Sequence, residues 1–234
     1  MDKSPHAEQI KALSKISKAI ASELYLEDIL RLIVAVTAQL MDSNICSLML
    51  IDEKRRELII RATQSVSEAY NKKPPLKIGE GIAGRVAKEN IPIVVKDITK
   101  EKEYKNKDIA KKEKLRSLLC VPLSVKGKVI GVINCYTAKP HDFTETEIDV
   151  LTSIAHQAAV AIENTELMVK SRVIQEELES RKRIERAKGL MMKEDKLTEE
   201  EAYMRIQKYA MNSRKTMREV AEAIILSAEM KKPK

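Results

Sequence analysis

The chain has 234 residues, 44% of them apolar and 33% charged. At roughly 100–200 residues per domain, this length holds one large domain or two smaller ones, and the spread of apolar residues excludes wholesale disorder and low-complexity classes. The formal net charge of +8 favours polyanionic partners, because each Lys or Arg that meets a phosphate releases condensed counterions.

No apolar run approaches the roughly 18 residues that span a bilayer. Residues 1–12 mix Lys, Glu, His and Gln without a hydrophobic signal core, so a cytoplasmic location with no membrane contact is expected. Cys46, Cys120 and Cys135 are odd in number and lack Cys-x-x-Cys spacing, which argues against a disulfide framework and against zinc. His6, His141 and His156 are far apart, and none lies beside a cysteine. No metal and no cofactor are expected.

From residue 10 to 40 the apolar positions fall at helical spacing, first Leu13, Ile16 and Ile20, then Ile29, Ile33, Val36 and Leu40, which predicts two helices. Two alternating, β-branched segments follow at 46–51 and 58–63, spaced for an antiparallel hairpin. A loop rich in Lys and Pro (70–77) leads to a short helix from Gly81 and a strand at 92–95. The highly charged stretch 99–114 reads as a solvated helix or loop, with a lid over a ligand as the alternative. Strands at 118–125 and 128–137, joined by the two-residue turn Lys126-Gly127, are expected at the centre of the sheet.

A long helix starts after Phe143, where Thr144 and Glu147 have capping-box spacing. From Thr144 to Met192 its only Gly or Pro is Gly189, and Leu167, Ile174 and Leu178 fall on a coiled-coil seam. Thr198 with Glu201 and Thr216 with Glu219 repeat the capping-box spacing and open two further helices. One carries Ala202, Ile206 and Tyr209 on a face, the other Met217, Val220, Ile224 and Ala228.

Gly79, Gly81 and Gly84 match a dinucleotide fingerprint, but they follow Pro74 and Pro75 and a charged loop instead of a buried strand, and no βαβ unit surrounds them. They read as a turn into a short helix. No Ser, Cys or carboxylate stands in a recognisable nucleophile or phosphoacceptor context, and the chain is expected not to be an enzyme.

The order of elements and the segments Ile78-Gly-Glu-Gly-Ile-Ala-Gly-Arg-Val-Ala, Ile91-Pro-Ile-Val-Val-Lys-Asp, Leu118-Leu-Cys-Val-Pro-Leu, Val129-Ile-Gly-Val-Ile-Asn and Phe143-Thr-Glu-Thr-Glu resemble a GAF domain. The resemblance implies an α+β fold, with an antiparallel sheet, helices packed on one face and a small-molecule pocket on the other. Met49, Val94, Cys120 and Asn134 are candidates to line that pocket, with core packing as the alternative role for each. The Asn-Lys, Phe and Asp-Glu pattern of cyclic-nucleotide-binding members is not found, and no cysteine has a bilin-attachment context.

Arg181, Lys182, Arg183, Arg186 and Lys188 crowd one helical stretch, and Arg205, Lys208, Arg214, Lys215 and Arg218 follow. Alone, such a patch fits a solvated coil face, DNA or RNA. For RNA, Tyr203 and Tyr209 are available to stack on unpaired bases. The runs Arg183-Ile-Glu-Arg-Ala-Lys-Gly-Leu-Met-Met, Leu197-Thr-Glu-Glu-Glu-Ala-Tyr, Tyr209-Ala-Met-Asn-Ser-Arg and Met217-Arg-Glu-Val-Ala-Glu-Ala-Ile are similar to an ANTAR domain.

That resemblance implies a transcription antiterminator that dimerises through the preceding coil and binds hairpin loops in a transcript leader. Ala187, Lys188 and Gly189 match its first-helix motif, Ala202 its second helix, Ala210 and Met211 the end of that helix, and Ala221 the third helix. Lys188 and Arg218 are the first candidates for RNA contact and Arg186 and Arg214 the second, with Ala187, Gly189, Ala210 and Met211 serving the RNA-binding module through helix packing or the shape of its surface.

The expected organisation is a GAF-like sensor at 10–165, a coiled-coil linker at 166–180 and an all-α, three-helix RNA-binding module at 181–230. The GAF-like part is read as a ligand sensor or a dimerisation scaffold. A DNA-binding regulator with the same sensor is the rival reading.

Overall fold

The computed structural model describes residues 14–15 and 26–230. The first predicted helix, with Leu13, Ile16 and Ile20, lies outside the described residues. The chain divides into two compact units, Met1–Thr165 and Glu166–Lys234.

In the first unit, helix α1 (Leu26–Leu40) buries Ile29, Leu30, Ile33, Val34 and Val36 along one stripe. Strands β1 (Ile45–Asp52) and β2 (Glu57–Thr63) form the predicted antiparallel hairpin. The short helix α2 (Glu68–Asn71), strand β3 (Leu76–Lys77), helix α3 (Gly81–Glu89) and strand β4 (Ile93–Val95) follow. Helix α4 (Lys107–Lys112) precedes β5 (Ser117–Val125) and β6 (Lys128–Thr137).

The six strands form one sheet in the order β3-β2-β1-β6-β5-β4. Strand β6 is central beside β1, and β5 lies one place further out. Lys126 and Gly127 both have positive φ, 51° and 81°, the backbone that a two-residue turn needs to match the twist of its strands.

Both faces of this sheet are buried, so alternate residues serve two separate cores. Cys46, Leu48, Leu119, Val121, Ile133 and Cys135 face α1 and the start of helix α5 (Glu145–Glu194), where Leu151, Ile154, Ala158 and Ile162 are buried. Met49, Leu118, Cys120, Val132 and Tyr136 face the opposite way, with Tyr70, Ile82, Val86 and Tyr104. The charged stretch before β5 is tied down by buried Tyr104, Ala110 and Leu115.

The fingerprint glycines close a tight turn. The Gly79 amide donates to the Gly84 carbonyl at 2.8 Å, and a Cβ on Gly84 would lie 2.4 Å from the Lys77 carbonyl oxygen. The glycine at 84 is therefore required by the close approach of the Lys77 and Gly79 backbone within the turn.

Helix α5 opens with the predicted capping box: the Thr144 amide donates to Glu147 at 2.7 Å and the Glu147 amide donates to Thr144 Oγ1 at 3.3 Å. In the second unit, the end of α5 packs with α6 (Glu199–Ser213) and α7 (Met217–Met230). Thr198 and Glu201 cap α6 reciprocally, and Thr216 and Glu219 do the same for α7. The small core holds Ala187, Met191, Ala202, Ile206, Ala210, Val220, Ala221 and Ile225. Tyr209, predicted on the Ala202–Ile206 face, is instead 65% exposed, and Ala210 takes the inward position. No helix among the described residues is long and apolar enough to cross a membrane.

Candidate functional site

The first unit contains a small internal cavity of about 20 Å³, enough for one water-sized group. Met49, Asn134 and Tyr136 line it from the sheet, and Lys73, Ile82 and Tyr104 from the covering loops and helix. Of the sequence candidates for a ligand pocket, Met49 and Asn134 meet here, and Cys120 is buried in the same core. Val94 does not join them. It pairs with Leu119 and packs against the α1–α5 core, because strand alternation turns it to the other face of the sheet.

The cavity wall is polar in an apolar surround. Asn134 is 1% exposed; its Nδ2 donates to Ser47 Oγ at 3.5 Å, and its Oδ1 has no hydrogen-bond partner. Ser47 and Tyr70 hydroxyls are 2.8 Å apart, and Tyr70 and Tyr104 each meet Tyr136 edge to face. The Lys73 ammonium lies 4.1 Å from the centroid of the Tyr70 ring and 5.9 Å from that of Tyr136. Burial holds its pKa down to about 8, and no carboxylate acts on it. Tyr70 and Lys73 carry no signal of this in the sequence, because they sit in a Lys- and Pro-rich stretch that reads as a solvated loop.

In the second unit the basic residues fall into two groups. The first is bound up within the fold. Lys188 has a side chain only 8% exposed, and its Nζ lies 2.8 Å from Glu185 and 2.7 Å from Glu199. Those two carboxylates hold the Lys188 ammonium above its ordinary pKa. Arg186 meets Glu229 at 2.7 Å, and Arg183 and Arg218 converge on Glu222 at 3.0 and 2.9 Å. These pairs join the end of α5 to α6 and α7.

The second group surrounds the turn between α6 and α7. Arg214 caps α6 in the left-handed conformation at φ 54°, and Lys215 follows it. Among the described residues, Lys208, Arg214 and Lys215 enter none of the ion pairs of this unit. Exposed Tyr209 and Met211 lie beside them in sequence. Arg205, Tyr209 and Lys215 also line a cleft of about 420 Å³ whose floor includes Ile206, Val220 and Ala228.

The small residues divide in the same way. Ala187 and Ala210 are core. Gly189 is exposed, and a Cβ there would meet nothing within 4 Å. A glycine inside a helix costs about 1 kcal/mol against alanine, and no contact within the fold requires this one. On α5 ahead of this unit's core, Leu167, Ile174 and Leu178 are each more than half exposed. Among the described residues, no group of three or more His, Cys, Asp or Glu could hold a metal ion.

The chain matches the GAF domain over residues 23–163 and the ANTAR domain over residues 172–225. It is 28% identical over 155 residues to the phosphoenolpyruvate-dependent phosphotransferase system protein of Escherichia coli (strain K12), covering 66% of this chain and 21% of that protein. It is 36% identical over 90 residues to the transcriptional regulatory protein PdtaR of Mycobacterium tuberculosis (strain CDC 1551 / Oshkosh), covering 38% of this chain and 42% of that protein. The chain thus spans less than half the length of either relative. The GAF domain from a phosphoenolpyruvate-protein phosphotransferase of Coxiella burnetii superposes with a TM-score of 0.64 at 24% identity, covering 72% of this chain and 99% of that one. The cavity-bearing sheet and the helices that follow it therefore belong to a member of the GAF-domain family whose GAF domain is followed by an ANTAR domain.

Proposed function

We propose that this chain is a signal-responsive transcription antitermination regulator. It binds hairpin loops in a transcript leader through its ANTAR domain, and its GAF domain senses a small ligand. The observation that carries this reading is the succession of a GAF domain and an ANTAR domain, joined by one continuous helix. The similarity to a transcriptional regulatory protein supports it.

Two copies pair along the exposed seam of Leu167, Ile174 and Leu178, whose seven- and four-residue spacings suit a coiled coil. Pairing gives each dimer two ANTAR domains and hence two hairpins. RNA is met at the α6–α7 turn, by Arg214 and Lys215 with Tyr209 and Met211, and at Gly189, where backbone can approach closely. Arg186 and Arg218 join by exchanging a carboxylate for a phosphate, since exposed ion pairs are worth only about 0–1 kcal/mol. Lys188, held between Glu185 and Glu199, acts by positioning α5 against α6.

Filter binding of the full chain to a hairpin RNA and to a duplex DNA of matched sequence tests the reading. Tighter binding to the hairpin is expected. Tighter binding to the duplex would make the protein a DNA-binding regulator. Sedimentation of the protein with Leu167, Ile174 and Leu178 all changed to Lys tests the seam: a monomer is expected where the parent chain is a dimer.

A further inference from the structure

We infer that the GAF cavity takes a short-chain hydroxy acid, its carboxylate on the Lys73 ammonium and its hydroxyl donating to Asn134 Oδ1. The inference rests on the reading of the GAF domain as a ligand sensor and names the chemistry that it senses.

Two unmet demands on one cavity carry it. The Lys73 ammonium is gathered over the faces of Tyr70 and Tyr136, yet no carboxylate neutralises it. Lys73 is half-buried, so its ammonium is partly withdrawn from water with no carboxylate to offset the loss, and desolvation lowers its pKa accordingly. Across the same cavity, Asn134 Oδ1 is a buried acceptor without a donor. Nearly all buried polar groups in folded proteins have a partner, so an orphan aimed into a cavity marks where one is to come from outside.

The two demands specify the ligand. Lys73 asks for one negative charge, and Asn134 asks for an O–H or N–H. A hydroxy acid brings one of each and leaves the filled cavity with zero net charge. A zwitterionic amino acid adds a second ammonium beside Lys73 and leaves a net positive charge in a low-dielectric space, which is unfavourable. Met49, Leu118 and Ile82 give the cavity apolar walls against the chain that carries the two groups, and its small size favours a chain of few carbons.

At about 20 Å³ the cavity is closed down to one water-sized space, so the acid enters by displacing its cover. That cover is Lys73 and the segment around Tyr104 and Lys105. Ion pairs from Lys105 to Glu80 at 3.4 Å and from Glu103 to Arg85 at 2.6 Å hold the segment to the α3 end of the site. Asn134 stands on β6 between Ile133 and Cys135, which face the core shared with α5. A ligand that reseats Asn134 therefore works on the strand that supports that helix.

The test uses the full chain with glycolate and L-lactate as probes, acetate as the acid without a hydroxyl and glycolamide as the uncharged analogue. Glycolate or lactate at about 100 times Kd should raise the melting temperature of the GAF domain by roughly 5–10 °C. Acetate and glycolamide should each bind at least about tenfold more weakly. Lys73→Met, which keeps the apolar stem, should unfold cooperatively and lose at least about tenfold in affinity, as should Asn134→Leu.

Acetate binding as well as glycolate, glycolamide binding as well as glycolate, or no saturable response to either hydroxy acid overturns the inference. If the chain retains an uncharged metabolite from cell extract but binds neither acid, the inference fails and the sensor reading stands. If it retains no metabolite and binds neither acid, both fail.

Discussion

The Lys188 ammonium lies 2.7 Å from the Glu199 carboxylate, linking the last turns of α5 to the first turn of α6. A basic residue inside the ANTAR motif is thereby turned inward. Lys188→Ala should lower the melting temperature of the C-terminal unit, because its ammonium ties Glu185 on α5 to Glu199 on α6. A double-mutant cycle with Glu199→Gln, read by urea denaturation, should give a coupling of about 1 kcal/mol. A coupling near zero would make Lys188 free to meet RNA directly.

Glu222 restrains two arginines at once, Arg183 at 3.0 Å and Arg218 at 2.9 Å. Glu222→Gln should tighten hairpin binding severalfold by freeing both for phosphate, at a stability cost under about 1 kcal/mol. Arg214→Ala and Lys215→Ala should weaken binding at unchanged stability. Each should flatten the plot of log affinity against log salt by about 0.7–0.9 for every phosphate that the variant leaves unneutralised. Filter binding across a salt series reads both effects, and an unchanged slope would remove those side chains from the interface.

Gly84→Ala tests the meaning of the glycine-rich turn. The added Cβ would lie 2.4 Å from the Lys77 carbonyl oxygen and 3.0 Å from the Gly79 amide nitrogen, both backbone atoms. The turn has to move, at a cost of about 1–3 kcal/mol. Differential scanning calorimetry should show a lower melting temperature for the GAF domain, with any nucleotide leaving both proteins unaffected.

Lys73 predicts a pH dependence. Its pKa in the fold is about 8 against an ordinary value of 10.5. The unfolded chain therefore holds this proton through a window in which the folded protein has released it, and stability from this group rises between pH 8 and 10.5. Acid binding follows the opposite trend, because it needs the ammonium. Hydroxy-acid affinity should be flat below about pH 8 and then fall by about tenfold per pH unit. Tyr70, Tyr104, Tyr136 and Cys120, which face the site, are pushed up by burial and stay protonated through the first part of that fall. Glu80, which pairs with Lys105 on the rim, is held ionised by the Lys77 amide and by Lys105. Titration calorimetry from about pH 7 to about pH 10 checks this, and a flat profile would remove Lys73 from the ligand's partners.

Much of the architecture was legible in the chain because it is decided locally. Thr144 with Glu147, Thr198 with Glu201 and Thr216 with Glu219 are neighbours within one helical turn, and each forms its capping box as expected. Lys126-Gly127 needs only its own backbone to reverse two alternating strands. The ordered motifs, taken together, also named both domains.

What the side chains do was decided by contacts between residues distant in sequence. Val94 and Asn134 look alike as pocket candidates, yet sheet register turns one toward α1 and the other toward the cavity. Tyr209 and Ala210 differ by one position, and the packing of α6 against α7 and the end of α5 decides which is core. Lys188 and Lys215 carry the same charge, but Lys188 is nearly buried and paired with a carboxylate on the next helix, whereas Lys215 lies in a turn and acts on Glu219 only through its field. Lys73, in a stretch that reads as an ordinary solvated loop, becomes a distinctive cation only once Tyr70 and Tyr136 are folded beneath it. Periodicity and capping act over a few residues and survive in the sequence, whereas burial and charge pairing depend on which surfaces the fold brings together.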